Sequence, residues 1–596
     1  MKQVYEKHKK LLLSLLFSIL LITSIICITI GVNNKSHHPK LNPSTHSILK
    51  SSCSTTRYPN LCYNAIASGP THIIAKISSP KDVIIASLTL TTTAVEHNYF
   101  TIQNLIKTRQ NLTIREKVAL HDCLETVDET LDELKETLVD LRKYDPSNNN
   151  FEKINRGHKF SLEDYVDDMI TFISSAITNQ ETCLDGFSHN NVDRDVRHAL
   201  EKGQYHVEKM CSNALAMLKK LTDFDIATVK LSRNNHNMRR LYDNYNNIND
   251  NYNNYNKNES YNGKWPRWMS RSDRRVLQQG GVKVDVVVAA DGSGNYRTVG
   301  EAVAAAPAKS NRRYVIRIKA GVYRENVEVD KKKINIMFIG DGRSKTIITG
   351  SKNVIDGSTT YNSATVAIMG HGFLARDLTI QNTAGPSKQQ AVALRVGADL
   401  AAFYQCDILA YQDTLYVHNN RQFYINCLIA GTVDFIFGNA AVVFQDCDIH
   451  ARKPNPGQKN MITAQSRSDP NQNTGIVIQK SRIGATSDLQ ATKSSFHTYL
   501  GRPWKEYSKT VIMQSIISDV VHPAGWHEWE GNFALNTLEY SEYKNNGPGS
   551  DTSKRVNWRG VKVINSVNEA QQYTPRNFIV GDSWLPSTSF PYSLGL

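Results

Sequence analysis

At 596 residues the chain is too long for one ordinary domain, and its formal net charge of +14 points to an acidic partner. With 40% hydrophobic and 21% charged residues it is globular in composition. It has no basic helix interleaved with aromatics, no zinc-finger spacing and no RNP-like motif; this argues against nucleic acid and leaves an anionic membrane or an acidic polysaccharide.

Four lysines (Lys2, Lys7, Lys9 and Lys10) precede an uncharged run from Leu11 to Val32, long enough to span a bilayer. Flanking lysines favour a cytoplasmic N-terminus, and no clear small-x-small cleavage site follows. Residues 1–46 are therefore read as a stub and signal anchor holding the precursor to the membrane, with a cleaved signal peptide as the alternative. Both readings send the remainder into the secretory lumen. Eight cysteines beyond Cys27 suit that oxidising route, and the lack of any CxxC pair argues against zinc. Asn111-Leu-Thr and Asn258-Glu-Ser are N-glycosylation acceptors.

Residues 47–222 read as helical. Leu120, Leu124, Val127, Leu131, Leu134 and Leu138 recur at three and four residues, one apolar stripe of an amphipathic helix. "VDDMITFISSAITNQETCLDGF" and "VEKMCSNALAMLKKL" repeat the pattern, which predicts an all-α four-helix bundle. The acidic runs of this region read as solvated faces. Residues 223–280, with "LYDNYNNINDNYNNYNKNESYN", read as a low-complexity linker. Its dibasic pairs Arg239-Arg240 and Arg274-Arg275 are candidate processing sites.

From residue 281 to 596 short β-rich runs broken by Gly, Asp and Asn follow one another, with one short helix expected near Val299–Ala306. "FYQCDI", "YINCLI" and "FQDCDI" place Cys406, Cys427 and Cys447 at steps of 21 and 20 residues. That step suits one coil of a parallel β-helix, in which residues one coil apart stack at about 4.8 Å.

The same ruler brings Asp413 and Asp434, 21 residues apart, onto neighbouring coils, and Gln390 and Gln412, 22 apart, into the same patch. Two carboxylates at one strand spacing do not both ionise easily; one becomes an ionised nucleophile or base and the other a protonated acid. The glutamines supply neutral N–H donors for a developing oxyanion. Arg502 and Trp504 share one face of an extended segment, a carboxylate clamp beside a platform for a sugar ring. Spacing alone leaves open a ladder of stacked polar side chains without catalysis.

The segment from about Val282 resembles plant pectin methylesterases (pectinesterases), right-handed parallel β-helix enzymes. The motifs that carry the likeness are Gly321-Val-Tyr-Arg-Glu325, Gln390-Ala-Val-Ala-Leu394, Tyr411-Gln-Asp-Thr-Leu415, Asp434-Phe-Ile-Phe-Gly438 and Leu500-Gly-Arg-Pro-Trp504. "TRYPNLC" and "TNQETCLDGF" resemble the family's N-terminal inhibitor-like domain. The resemblance implies hydrolysis of the methyl esters of cell-wall homogalacturonan, giving pectate and methanol. In its terms Asp434 is the nucleophile, Asp413 the proton donor and later base, and Gln412 the transition-state stabiliser. Thr360, Gln390, Arg502 and Trp504 contact substrate or hold the nucleophile, and neither metal nor organic cofactor is needed. It further implies secretion to the wall through ER and Golgi, a processing protease of the subtilisin type, and an inhibitor protein as a partner. The disulfides expected on this basis are Cys53–Cys62, Cys123–Cys183 and Cys427–Cys447, with Cys406–Cys427 an open alternative.

Two other readings compete. A retaining glycosidase also uses paired carboxylates, but its transition state develops positive charge, for which two amide donors are unsuited. A non-catalytic wall-binding or inhibitory protein would not need the acidic pair and its arginine together.

Overall fold

A computed structural model describes residues 41–145, 162–187, 194–245 and 283–596. The apolar run at residues 11–32, Asn258 and Arg274-Arg275 lie outside these. No described helix is long and apolar enough to cross a membrane.

The first domain is the expected bundle. A hairpin of α1 (Pro43–Cys53) and α2 (Pro59–Ala67) precedes four long helices: α3 (Pro80–Thr108), α4 (Ile114–Lys143), α5 (Leu162–Asp185) and α6 (Arg194–Tyr245). Helices α3 and α4 begin in capping boxes, Ser79 with Asp82 and Thr113 with Glu116, which satisfy otherwise orphaned N–H groups. Each of α3 and α5 packs on both α4 and α6, closing a four-sided core around Leu120, Val127, Leu134, Ile173 and Leu215. Cys53–Cys62 ties the hairpin and Cys123–Cys183 joins α4 to α5, as expected; Cys211 is free. Asn111 is exposed in the tight α3–α4 turn, at φ 69°.

One boundary differs. Helix α6 continues to Tyr245, past the expected end at 222, because no proline or glycine interrupts residues 223–245. Arg239-Arg240 therefore sits on helical backbone rather than in an open linker.

The second domain is a parallel β-helix, entered through β-strand Val286–Val288 and a short helix α7 (Val299–Ala305). Seven strands stack in chain order as one sheet: β1 (Val327–Val329), β2 (Val366–Ile368), β3 (Leu394–Val396), β4 (Leu415–Val417), β5 (Ile436–Gly438), β6 (Asn460–Gln465) and β7 (Thr498–Pro503). Seventeen further strands complete the walls, and every strand pairing is parallel. Phe403 pairs with Tyr424 and Tyr424 with Phe444, so these coils are 21 and 20 residues long. Their rings stack inside at 4.8 Å. The next coil is longer, pairing Phe444 with Ile478.

The corner before each cysteine is a column of left-handed residues. Asp377, Gln405, Asn426, Asp446, Lys480, Gln514 and Lys544 occupy equivalent positions with φ between 46° and 59°. Left-handed backbone turns the chain sharply, and repeated at one register it keeps every coil the same shape.

The third expected disulfide does not form. Cys406, Cys427 and Cys447 are buried free thiols in one column. Their sulfurs turn to main-chain carbonyls instead: Cys427 Sγ donates to Phe403 O and Cys447 Sγ to Tyr424 O, both at 3.5 Å.

Candidate active site

Asp413 and Asp434 immediately precede β4 and β5. The register Leu415 to Ile436 carries back to set one aspartate on the other, and the Asp413 N–H donates to Val433 O at 3.0 Å. Both residues have left-handed backbone, φ 61° and 50°. Aspartate is among the few residues other than glycine that tolerate this conformation. It breaks strand geometry just before each strand and swings the carboxylates to the outer face of the sheet.

The two carboxyls have different surroundings. Arg502, on β7, grips Asp434 with both ends of its fork, Nε to Oδ1 at 2.8 Å and Nη2 to Oδ2 at 2.6 Å. Such a bidentate pair fixes the carboxylate in one orientation. Asp413 has no such clamp. Burial, then the neighbouring Asp434 charge, raises its pKa well above the usual carboxylate range, with Arg502 opposing only in part. The two carboxyls are therefore inequivalent: one is locked in a bidentate ion pair and the other is pushed toward its neutral form. The Arg502 guanidinium also lies 4.2 Å over the Trp529 ring, a neighbour without a motif or repeat signal in the sequence.

The glutamines are offset from the expected alignment. Leu394 pairs with Leu415, so Ala391, not Gln390, is level with Gln412, and the Ala391 N–H donates to Gln412 O at 3.2 Å. Gln390 stands one residue back, and its Oε1 is buried without a hydrogen-bond partner. The offset follows from the spacing: this coil repeats at 21 residues, and Gln390 and Gln412 are 22 apart. Thr360 caps a short 3-10 turn, its carbonyl accepting from Ser363 N and Oγ.

Trp504 is half-buried and not a bare platform. It packs with Phe437, Tyr416, Tyr361 and Val392 in an apolar floor along the outer face of β2–β6. Tyr416 and Phe437 stack at 4.3 Å; they too are 21 residues apart, so the same ruler could have found them.

The outer face of a solenoid sheet is normally wet, yet Arg395, Tyr416, His418 and Phe437 retain at most 4% of their exposure. Helices α4 and α5 lie on them. From α5, Thr182 Oγ1 meets His418 Nε2 at 2.9 Å, Asn439 donates to Thr178 at 2.8 Å, and Asn419 donates to Asn179 at 3.1 Å. Asp168 pairs with Arg421 at 2.7 Å, and Lys505 reaches Glu181 at 2.5 Å and Asp185 at 3.2 Å. From α4, Glu125 accepts from Tyr361 at 2.9 Å and pairs with Arg395 at 3.3 Å; Asp132 pairs with Lys331 at 2.6 Å, and Asp122 accepts from Thr359.

The acidic stripes are therefore a docking face, which overturns their reading as solvated surface. Burial raises Asp122 to about 7, Asp167 to about 6 and Glu133 to about 8. Burial and nearby Arg395 hold His418 well below the usual range, so its imidazole is neutral. Among the described residues no group of three or more His, Cys, Asp or Glu is arranged to hold a metal ion.

The pectinesterase family model matches residues 285–582, and the plant invertase/pectin methylesterase inhibitor model matches residues 47–217. "Pectinesterase/pectinesterase inhibitor 3" of Arabidopsis thaliana is 62% identical over 600 residues, 100% of this chain and 98% of its own. The chain belongs to the pectinesterase family. Its β-helix is the pectinesterase part and its bundle the inhibitor-like part. A "Pectinesterase" of Daucus carota, 74% identical over 319 residues, covers 54% of this chain and 100% of its own length. A solved "Pectin methylesterase from Carrot" superposes with a TM-score of 0.53 at 75% identity, covering 53% of this chain and 99% of that one.

Proposed function

We propose that this pectinesterase cleaves the methyl esters of wall galacturonan by a covalent route through Asp434. Ionised Asp434 attacks the C6 carbonyl, and the tetrahedral oxyanion takes hydrogen bonds from the Gln412 amide, with Gln390 assisting. Protonated Asp413 gives its proton to the departing methanol. It then takes a proton from the water that opens the acyl-enzyme, which restores both carboxyls. Arg502 holds Asp434 aimed at the ester, and Trp504 and Thr360 contact the sugar. The observation that carries this reading is the Arg502 clamp on Asp434 beside an unclamped Asp413, whose pKa burial raises. No step calls on a metal or organic cofactor.

The test is the product. Incubated with methylated pectin, the segment from Val282 onward is expected to release methanol without shortening the chains. Falling viscosity with no methanol would instead indicate a polysaccharide hydrolase.

The bundle acts as a restraint on the same site. Supporting this, α5 lies across the apolar floor that a sugar would need. Processing near Arg274-Arg275 frees the β-helix outside the cell, after entry to the secretory route through the N-terminal segment. Equal specific activity of the full luminal chain and the trimmed form would refute the restraint.

A further inference from the structure

A cleft of about 1040 Å³ opens on the bundle, between the start of α2, the middle of α3 and α6. It shares no lining residue with the candidate active site. Its size is at the upper end of small-molecule sites, about 300–1,000 Å³.

Three features of its lining point to a ligand class. The first is charge: Arg57, Lys202 and Lys209 line it, with no aspartate or glutamate. The second is a pair of unpartnered amides, Asn98 Nδ2, a donor, and Gln204 Oε1, an acceptor; both residues are more than nine-tenths buried. A buried polar atom without a partner is costly, and a ligand that supplies the partner recovers that cost. Asn98 fits because residue 203 is glycine: a Cβ there would lie 2.4 Å from Asn98 Oδ1. The third is apolar surface, from Tyr58, Leu61, Ala94 and Leu200.

Cations call for an anion, and the acceptor Gln204 calls for a ligand that also carries hydroxyl or N–H donors. Inorganic phosphate in its charged form is poor in such donors. The apolar surface suits the C–H face of a sugar ring.

We propose that this cleft binds an acidic oligosaccharide, a short run of de-esterified galacturonate. Its carboxylates meet Lys202 and Lys209, and its hydroxyls meet Asn98 and Gln204. The choice of galacturonate rests on the pectin-demethylating reading; the acidic-sugar chemistry rests on the cleft alone. The ligand would be the enzyme's product, held by the inhibitor-like domain. Arg57, at the cleft, also reaches the β-helix, donating to Ser468 O at 3.0 Å and Glu506 at 2.9 Å. A ligand carboxylate would compete with Glu506 for that guanidinium.

The test is calorimetric titration of the full luminal chain with trigalacturonate, with maltotriose and inorganic phosphate as probes of sugar and charge alone. It is run in parallel on K202E/K209E, whose two lysines are exposed. The expected result is a binding phase for trigalacturonate that weakens at least tenfold in K202E/K209E, with no comparable binding of maltotriose or phosphate. An unchanged trigalacturonate isotherm in K202E/K209E overturns the proposal, as does phosphate binding equal to trigalacturonate. Methanol release separates this from the enzymatic reading. Both proteins are expected to release it equally from methylated pectin when no oligomer is added. Absence of methanol from the trimmed segment beginning at Val282, with the binding difference intact in the full chains, would sink the pectin reading and leave an acidic-sugar site.

Discussion

The two domains place polar groups by different rulers. In the β-helix a residue's position follows from coil length: Asp413 and Asp434 meet because 21 residues make one turn, and left-handed backbone aims both outward. In the bundle the ruler is the helical repeat. Asp122, Glu125, Asp128 and Asp132 share one face of α4; Asp168, Thr171, Thr178, Thr182 and Asp185 do so on α5. The first arrangement concentrates a few groups for chemistry. The second spreads many over a surface. What lies where they meet is the candidate active-site face, covered by acidic helices.

The largest expected effect tests the coil side. Asp434→Asn should lower methanol release by at least about 10⁴-fold while pectin binding persists, measured by turnover and by titration. Retained activity would remove Asp434 from the nucleophile's place. Next, Asp413→Asn should cost about 10²–10⁴-fold. It should also abolish the alkaline fall in rate that arises when wild-type Asp413 loses its proton above its raised pKa. An unaltered pH profile would mean that another group supplies the proton.

The helical side is tested by charge reversal. Glu181→Lys with Asp185→Lys sets two cations against Lys505 where two anions now stand. Undocking should rise about tenfold or more, roughly 1.4 kcal/mol, and the full luminal chain should approach the activity of the trimmed form. No gain would mean that the helices rest on the candidate active site without restraining it.

The smallest effect is with pH. Asp122, Asp167 and Glu133 have pKa values above the free carboxylate range of about 4 when docked, so the docked chain takes up protons. Their contribution is complete below about pH 4 and is lost as pH rises through about 6 to 8. The ratio of full-chain to trimmed activity should therefore climb several-fold over that window. Asp122→Asn with Glu133→Gln should flatten it.

Much of the β-helix is legible in the sequence because its period is written in the chain. The three cysteine hexapeptides gave the coil length, and the coil length placed the two aspartates. At Gln390 the ruler was stretched by one: the 21-residue repeat that aligns the aspartates sets Ala391, not Gln390, beside Gln412. Trp529 was invisible because it belongs to a longer coil with no repeat to align it. The docking face was hidden for another reason. Acidic residues at three- and four-residue spacing look alike whether water or Arg395 and Lys505 faces them; only the partner's position distinguishes the cases.

That docking face has one more consequence. The cations met by the helices are Lys331, Arg395, Arg421 and Lys505, and the groups that meet them are carboxylates on a rod. A demethylated galacturonan is also carboxylates on a rod. The bundle is thus an imitation of the polymer the enzyme leaves behind, built into its own chain. Should processing remove the imitation, Lys331, Arg395, Arg421 and Lys505 would be left without those four carboxylates, and a basic surface of that kind attracts the de-esterified polymer.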